Sequence, residues 1–229
     1  MERITASDQI FSTLRTEIMA LRFPPGVELN LQVLSTQLGV SKSPVRDALL
    51  KLKEDNLVEI FPQRGTRVSL IDLKQVSVER FLRQSLEIPS AKLFCMQRTS
   101  ADLYLMEKAI EEQKIALNEG DMETFLAKDD AFHQTIFNAV GYMRLWNIVQ
   151  SQSGNYHRIR LLSFFEPDVR NDIIAKHQMM LSAFQDQDEE QVQRLETDHM
   201  GKLEKETEMM LSHHPDYFKK PTQIGLNPV

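Results

Sequence analysis

The chain has 229 residues, enough for two domains of ordinary size, and a formal net charge of −6 at pH 7. Residues 1–70 carry nine Lys or Arg against eight Asp or Glu, and the remainder carries eighteen against twenty-five, which argues against a basic protein that coats nucleic acid. The single cysteine, Cys95, excludes an intramolecular disulfide and fits a reducing compartment. The sequence shows no secretory signal and no apolar run long enough to span a bilayer, so we expect a cytoplasmic protein.

The first informative stretch is residues 39–49, Gly-Val-Ser-Lys-Ser-Pro-Val-Arg-Asp-Ala-Leu, which has the pattern of a helix-turn-helix. An apolar helix face precedes it and ends at Gly39. Ser43 is expected to cap the next helix, with Pro44 at its first position. The start of that helix would present backbone N–H groups to phosphate and Arg46 to a base edge. An ordinary surface turn followed by a capped helix is the alternative that this stretch alone leaves open.

The flanks of this stretch favour a DNA-binding unit. Apolar residues recur at helical spacing over residues 11–21, behind an expected N-cap at Ser7. Downstream, residues 57–61 and 66–68 have the character of two short strands. A helix, a helix-turn-helix and a β-hairpin together make a winged helix. Arg64, at the expected tip of the hairpin, is placed for a phosphate or the minor groove.

These residues also resemble the DNA-binding domain of GntR-type bacterial transcription regulators. The resemblance covers nearly all of residues 7–70 and is carried by Leu21, Pro25-Gly26, Leu29, Leu34, Gly39-Val40-Ser41, Pro44-Val45-Arg46, Ala48-Leu49 and Arg64-Gly65-Thr66. The expected DNA contacts are Ser41, Lys42, Ser43, Arg46, Arg64 and Gly65. Lys42 stands where many relatives have arginine, and it keeps a charge for phosphate but lacks the bidentate fork. Asp47 stands where glutamate is usual, a change of little expected consequence.

The fold class expected from the whole chain is mainly α. Helical periodicity begins again near Asp72 and continues to about His213, and Pro89 should kink or interrupt the first long helix. The expected division is a winged helix-turn-helix with a β-hairpin wing at 1–70, a linker at 71–76, an all-α helical bundle at 77–214 for effector binding and dimerisation, and a loosely held tail at 215–229.

One apolar helix face in the second domain carries two polar residues. At 100° per residue, Asp129 and His133 fall in the middle of the apolar stripe, whereas Asp130 falls outside it and should face solvent. His177 and His199 lie on the apolar stripes of two later helices. A buried carboxylate and imidazole need a partner, and a metal ion is one. Hydrogen-bonded core residues, including an i,i+4 pair of Asp129 and His133, are the alternative that the pattern leaves open.

The Asp-x-x-Phe-His stretch at 129–133, followed by histidines on two later helices, resembles the all-helical FCD-type ligand-binding domain of the FadR-like branch of the GntR family. In many of those domains an aspartate and three histidines hold a divalent metal within the effector cavity. The resemblance therefore implies a metal bound by Asp129, His133, His177 and His199. Zinc suits such a set best, and nickel and manganese are also compatible.

Arg83 is the expected effector contact. It lies in a stretch that resembles the family's Arg-x-x-x-Glu helix, and a guanidinium beside a metal suits a small organic acid. The residues alone equally allow an intrahelical salt bridge between Arg83 and Glu87. Two further arginines, Arg158 and Arg160, have directions that the sequence does not fix. Three histidines have no alignment with an apolar stripe and are expected at the surface: His157, His213 and His214.

These patterns favour a ligand-responsive transcription regulator. A homodimer would bind a short palindromic operator, because operator symmetry mirrors protein symmetry. The alternative is a metal-dependent enzyme with a nucleic-acid-binding head, since a metal with an open position could activate water. The sequence contains no His-Glu-x-x-His, no phosphate-binding Gly-rich loop and no Gly-x-Ser-x-Gly, so we do not expect an enzyme.

Overall fold

The computed structural model describes residues 5–201 and 203–220. The described elements are, in chain order, α1 (Ala6–Met19), β1 (Glu28–Leu29), α2 (Leu31–Gln37), α3 (Lys42–Glu54), β2 (Val58–Phe61), β3 (Gly65–Val68), α4 (Leu73–Gln97), α5 (Ser100–Glu119), α6 (Met122–Ala139), α7 (Met143–Ser151), α8 (Gly154–Ser163), α9 (Pro167–Asp186), α10 (Glu189–Gly201), α11 (Leu203–His213) and a 3-10 turn (Pro215–Tyr217). The mainly α class and the two-part architecture are confirmed. None of the described helices is long and apolar enough to cross a membrane.

The first domain is a winged helix with a three-stranded antiparallel sheet in the order β1-β3-β2. The expected hairpin is present, with Val58 opposite Val68 and Phe61 opposite Gly65. The strand β1, which pairs with the other edge of β3, was not predicted from the sequence. A two-residue strand is too short for an alternation of apolar and polar residues, so no periodic signal marks it. The core of this domain comes from α1, α2, α3 and the strands: Ile10, Leu14, Ile18, Leu34, Val45, Leu49, Leu52 and Val68.

Two expected helix caps are wrong. Thr5, not Ser7, caps α1, because Thr5 and Asp8 have the spacing of a capping box: the Asp8 N–H donates to the Thr5 hydroxyl and the Thr5 N–H donates to the Asp8 carboxylate. Likewise, Ser41 rather than Ser43 occupies the N-cap position of α3. Pro44 is therefore the third residue of this helix. A proline is tolerated there because the N–H groups of the whole first turn lack intrahelical partners.

The second domain is an all-helical bundle around one apolar core. Phe94 meets Phe184 edge to face with ring centroids 4.8 Å apart, which joins α4 to α9. Pro89 lies inside α4 without ending it. One residue later, the Ser90 hydroxyl donates to the Leu86 carbonyl at 2.7 Å.

A third apolar cluster joins the two domains to the end of the chain. Ile71, in the expected linker, is fully buried, and Phe218, in the expected tail, is 3% exposed. The Ile71 N–H donates to the Tyr217 carbonyl at 2.8 Å, and the Lys219 N–H donates to the Ile71 carbonyl at 2.9 Å. The expectation of a loosely held tail is thus wrong for residues 215–219, because Phe218 is buried in this cluster and Ile71 holds the backbone on either side of it. Its last part, from residue 221, lies outside the described residues.

Candidate metal centre and nucleic-acid interface

The start of α3 presents one polar face outward. Val45, Ala48, Leu49 and Leu52 are buried beneath the helix, which leaves Ser41, Lys42, Ser43 and Arg46 exposed. Within the described residues, neither Lys42 nor Arg46 has an ion-pair partner. The N–H groups of Lys42 and Ser43 lie in the first turn, where a helix attracts phosphate. The start of α3 therefore presents two exposed cations beside its first-turn N–H groups.

The tip of the wing carries the other two expected DNA contacts. Arg64 and Gly65 are both exposed. Gly65 has a φ of +100°, a conformation that side chains disfavour, and a Cβ there would lie 3.3 Å from the Glu28 carboxylate. Glycine at this position is therefore needed for the hairpin itself. Arg67 is a further exposed cation of the wing that the sequence analysis did not single out.

Asp129 and His133 on α6, His177 on α9 and His199 on α10 converge in the second domain. Each offers one ligand atom, and these four atoms lie within 4.8 Å of one another. His133 Nε2 is 3.2 Å from His199 Nε2 and 3.7 Å from Asp129 Oδ2. His177 Nε2 is 3.6 Å from Asp129 Oδ1. Tetrahedral zinc sites with bonds of about 2.1 Å have ligand–ligand edges of about 3.4 Å, so the spacing suits one ion.

The hydrogen bonds around these residues orient the histidines toward a common point. His177 Nδ1 donates to Gln113 Oε1 at 2.8 Å, which leaves Nε2 as a lone-pair donor. His133 Nδ1 lies against the Glu87 carboxylate, so its Nε2 faces His199 and Asp129. His177 Nε2 and Asp129 Oδ1 are buried and have no hydrogen-bond partner among the described residues. Two acceptors that face each other without a donor need a cation, so the residues fit a divalent metal.

Burial and a neighbouring charge keep His177 and Asp129 in the protonation states that bind a metal. Burial lowers the pKa of His177 to about 3, so its ring is neutral at pH 7. Burial opposes ionisation of Asp129, but the Arg160 guanidinium outweighs it and holds the pKa of this carboxyl well below its usual range. Asp130 does not face solvent as expected, because Arg160 turns inward and its Nη1 donates to Asp130 Oδ1 at 2.8 Å.

Both parts of the chain match known families. The description "Bacterial regulatory proteins, gntR family" matches residues 6–68, and "FCD domain" matches residues 80–202. The chain belongs to the GntR family. It is a transcriptional regulator with an FCD domain.

The regulator is similar over almost its full length to a named repressor. It is 28% identical over 214 residues to the "HTH-type transcriptional repressor RspR" of Escherichia coli K12, which covers 93% of the regulator and 94% of RspR. It is also 28% identical over 210 residues to an uncharacterised HTH-type transcriptional regulator of Streptomyces ambofaciens, covering 91% and 88% of the two chains.

Two solved structures share its fold. E. coli McbR/YncC superposes with a TM-score of 0.74 at 20% identity, covering 93% of the regulator and all of that chain. A GntR regulator from Rhodococcus sp. RHA1 superposes with a TM-score of 0.75 at 18% identity, covering 89% and 97% of the two chains.

Arg83 lies beside the four candidate metal ligands. Its Nε donates to Glu87 Oε2 at 2.8 Å, so the intrahelical salt bridge that the sequence allowed is present. The pair is buried, with Arg83 only 2% exposed. Arg83 Cζ lies 5.9 Å from the centroid of the Tyr156 ring, and Arg160 Cζ lies 5.6 Å from the same centroid. Arg83 Nη2 has no hydrogen-bond partner among the described residues, so one donor remains available.

Two polar residues of this site, Gln113 and Glu196, were not predicted from the sequence. Glu196 lies one turn before His199 on α10 and is fully buried. Burial and the nearby Glu87 raise its pKa well above the ordinary value. Its position three residues from His199, on the same apolar helix face, was the available signal. Gln113 had none, because one glutamine on α5 resembles any other in sequence.

The structure differs from the expected exposure of His157 on α8. His157 is half-buried rather than at the surface, and burial lowers its pKa to about 4. Arg160 points toward Asp129. Arg158 points to the winged helix, where its Nη1 donates to the Ser69 carbonyl at 2.6 Å. His213 is exposed as expected, and His214 is half-buried against the ring of Tyr217.

Proposed function

We propose that this regulator binds a short palindromic DNA operator as a homodimer and that a small organic acid controls its affinity for that operator. The proposed DNA contacts are Ser41, Lys42, Ser43, Arg46, Arg64 and Gly65. Their support is the exposed start of α3 and the wing tip, which carry cations without protein partners in the described part of the chain. Two-fold symmetry of the dimer would place two recognition helices in successive major grooves.

A divalent metal, zinc by donor type, is held by Asp129, His133, His177 and His199 in this proposal. The observation that carries it is the convergence of four ligand atoms within 4.8 Å, with Asp129 Oδ1 and His177 Nε2 buried and unpartnered. Three imidazoles and one carboxylate are a donor set that zinc accepts, and nickel or manganese remains compatible. The metal would supply an electrophilic position for an oxygen ligand.

The effector class follows from the cations beside that position. Arg83 and Arg160 are buried next to the metal residues, and Arg83 Nη2 lacks a partner in the described structure. A guanidinium beside a metal ion suits a carboxylate. The effector would therefore be a small organic acid bound by Arg83 and the metal.

The response to the effector is proposed to be release of DNA, with the protein acting as a cytoplasmic repressor. RspR is named a repressor, and it resembles this chain over almost the full length of both. Effector binding would move α8 relative to α6 and so change the spacing of the two DNA-binding heads.

The first test is genomic SELEX with the purified, metal-loaded chain at near-physiological salt, followed by effector release assays on the selected sites. Enrichment of sites that share an inverted repeat is the expected result, and the absence of any enriched site would overturn the proposal. Size-exclusion chromatography with light scattering tests the dimer.

A matched pair of histidine variants tests the metal. His177→Ala should lose bound metal by elemental analysis and lose the effector response, while His213→Ala, at an exposed position, should keep both. Full metal content in His177→Ala would exclude a metal site that includes His177. A regulator should return its acid chemically unchanged after long incubation, and turnover would favour an enzyme instead.

A further inference from the structure

Arg15 on α1 connects the winged helix to the helical domain. Its Nη2 donates to the Gln150 carbonyl at 3.2 Å, and its Nε lies 3.8 Å from Asp55 Oδ2. Gln150 is the second-last residue of α7, and its carbonyl is one of the four at a helix end that have no intrahelical partner. Asp55 is the C-cap of α3. One guanidinium therefore holds the end of α7 against the end of α3.

Asp55 lies where it needs this cation. The C-terminal end of a helix carries a partial negative charge, so a carboxylate there is unfavourable unless a cation lies beside it. The side chains of Arg15 and Asp55 are 31% and 35% exposed, so the pair is partly shielded from water. A displacement of Arg15 would therefore destabilise the last turn of α3.

The side chain of Gln150 extends these contacts to the candidate metal ligands. Its Nε2 donates to Asp130 Oδ2 at 3.2 Å, and the other oxygen of Asp130 accepts from Arg160 Nη1 at 2.8 Å. The second terminal nitrogen of Arg160 contacts Asp129 Oδ2. The side chains of Asp130 and Arg160 are 16% and 9% exposed, so salt screens these contacts little. A continuous series of polar contacts thus runs from Asp129 to Asp55.

A metal ion would stabilise this series at its first member. Asp129 Oδ1 is buried and unpartnered in the described structure, whereas Oδ2 contacts Arg160. A metal on Oδ1 would hold the carboxylate at both oxygens and would so fix the guanidinium between Asp129 and Asp130. A fixed Asp130 in turn fixes the amide of Gln150, whose carbonyl holds Arg15. The order gained at the metal site would then reach α3 without a large movement.

We propose that Gln150 couples the metal site to α3, so that metal binding stabilises the end of the recognition helix through Arg15. This inference rests on the proposed function, which supplies the metal and the DNA-binding role of α3. Gln150 suits this task because its side-chain amide contacts Asp130 in the helical domain and its backbone carbonyl contacts Arg15 in the winged helix. It is a positioning residue, since it acts through these two neighbours.

The test is hydrogen–deuterium exchange on the full-length protein with and without zinc. In wild type, zinc should slow exchange over residues 50–56 by about fivefold or more, the usual size of a coupling between two sites. Gln150→Met keeps the backbone carbonyl and the length of the side chain but removes the donor to Asp130. It should reduce the effect of zinc on these residues to less than about twofold. Gln152→Met makes the same change at an exposed position two residues later and is the control.

Competition with a zinc chelator separates coupling from metal binding. The zinc affinity of Gln150→Met should stay within about twofold of wild type, because the lost contact is to Asp130 and not to a metal ligand. A much lower affinity would mean that Gln150 supports the metal site itself and would contradict the inference. Arg15→Lys keeps the charge but not the guanidinium that reaches two partners, so it should also lose the effect of zinc on residues 50–56.

Three outcomes would count against this coupling. An equal effect of zinc on residues 50–56 in wild type and in Gln150→Met would overturn the inference. If zinc binds wild type without slowing exchange over these residues, the inference is also wrong but the metal site stands. A wild-type protein that binds no zinc would instead overturn the metal of the proposed function, and this inference with it.

Discussion

Arg158 and Arg160 lie two residues apart on α8, and their guanidinium groups contact opposite domains. Arg160 contacts Asp129 beside the metal residues, whereas Arg158 Nη1 donates to the Ser69 carbonyl, just after β3, at 2.6 Å. Residues two apart on a helix point in nearly opposite directions, so one short helix reaches both sites. A displacement of α8 at the candidate metal site would therefore act directly on Ser69, just after the last strand of the winged helix.

Arg158→Lys should weaken this connection. Besides Ser69, the guanidinium donates to the Gly154 carbonyl at 3.0 Å and to Asn155 Oδ1 at 3.1 Å, and a lysine cannot reproduce this planar arrangement. We expect a loss of about 1–3 kcal/mol in the free energy of unfolding, measured by urea denaturation.

Hydrogen–deuterium exchange separates coupling from stability. In wild type, zinc should slow exchange in α8 and also over residues 57–70, whereas Arg158→Lys should keep only the effect in α8. The exposed Arg144→Lys is the control. If zinc protects residues 57–70 equally in Arg158→Lys and in Arg144→Lys, Arg158 is not the connection between the two domains.

Gln113→Leu should weaken metal binding although Gln113 is not a ligand. Its side-chain carbonyl accepts a hydrogen bond from His177 Nδ1 at 2.8 Å and so fixes which ring nitrogen faces the metal. Removal of such a partner typically lowers metal affinity by about 10–100-fold. Competition with a zinc chelator measures the change, and the exposed Gln193→Leu serves as control. Unchanged zinc affinity in Gln113→Leu would show that packing alone orients His177.

The sequence predicted the parts of this structure that depend on periodicity. The apolar stripe of α6 placed Asp129 and His133 inward, and the turn chemistry around Arg64 predicted the wing. Ser43 was expected as the cap of α3 because serine before proline is a strong local signal. The choice between Ser41 and Ser43 depends instead on how α3 packs in the core.

The positions that were predicted wrongly or not at all share one physical cause. Asp130 lies off the apolar stripe, but Arg160 on α8 supplies a partner that allows it to be half-buried. Phe218 lies in a short, polar terminal segment, and only the tertiary fold provides Ile71 as its neighbour. Glu196 and Gln113 acquire their roles from residues far away in sequence. Contacts between elements cannot be inferred from the pattern of one element.

Arg46→Ala should lose sequence-specific DNA binding by about 1–3 kcal/mol per half-site if its guanidinium contacts a base edge. The side chain is exposed in the second turn of α3, and Val45, Ala48 and Leu49 hold that helix from beneath, so the fold should be unaffected. Fluorescence anisotropy on a selected operator and on scrambled DNA measures the loss.

Two comparisons make this result specific. Lys42→Ala should weaken binding to all sequences and lower the salt dependence by about one phosphate contact, because a lysine there acts on phosphate. Lys53→Ala, at the far end of the same helix, should leave binding unchanged. An Arg46→Ala variant with wild-type affinity and sequence preference would remove Arg46 from the reading role.

His157 should make the metal-free protein sensitive to acid. Burial lowers the folded-state pKa of His157 from 6.5 to about 4, so between these values the unfolded chain binds a proton that the folded chain does not. The stability from neutral His157 is present above pH 6.5 and is lost as the pH falls toward 4, by about 1 kcal/mol per pH unit. Urea denaturation with a metal chelator present, from pH 7 to pH 4.5, measures this slope. His157→Gln should reduce the slope by about that amount, with the remainder coming from buried His177, whose pKa is also lowered, and His213→Gln, at an exposed site, should leave it unchanged. Identical slopes for wild type and His157→Gln would mean that His157 gains its proton without unfolding.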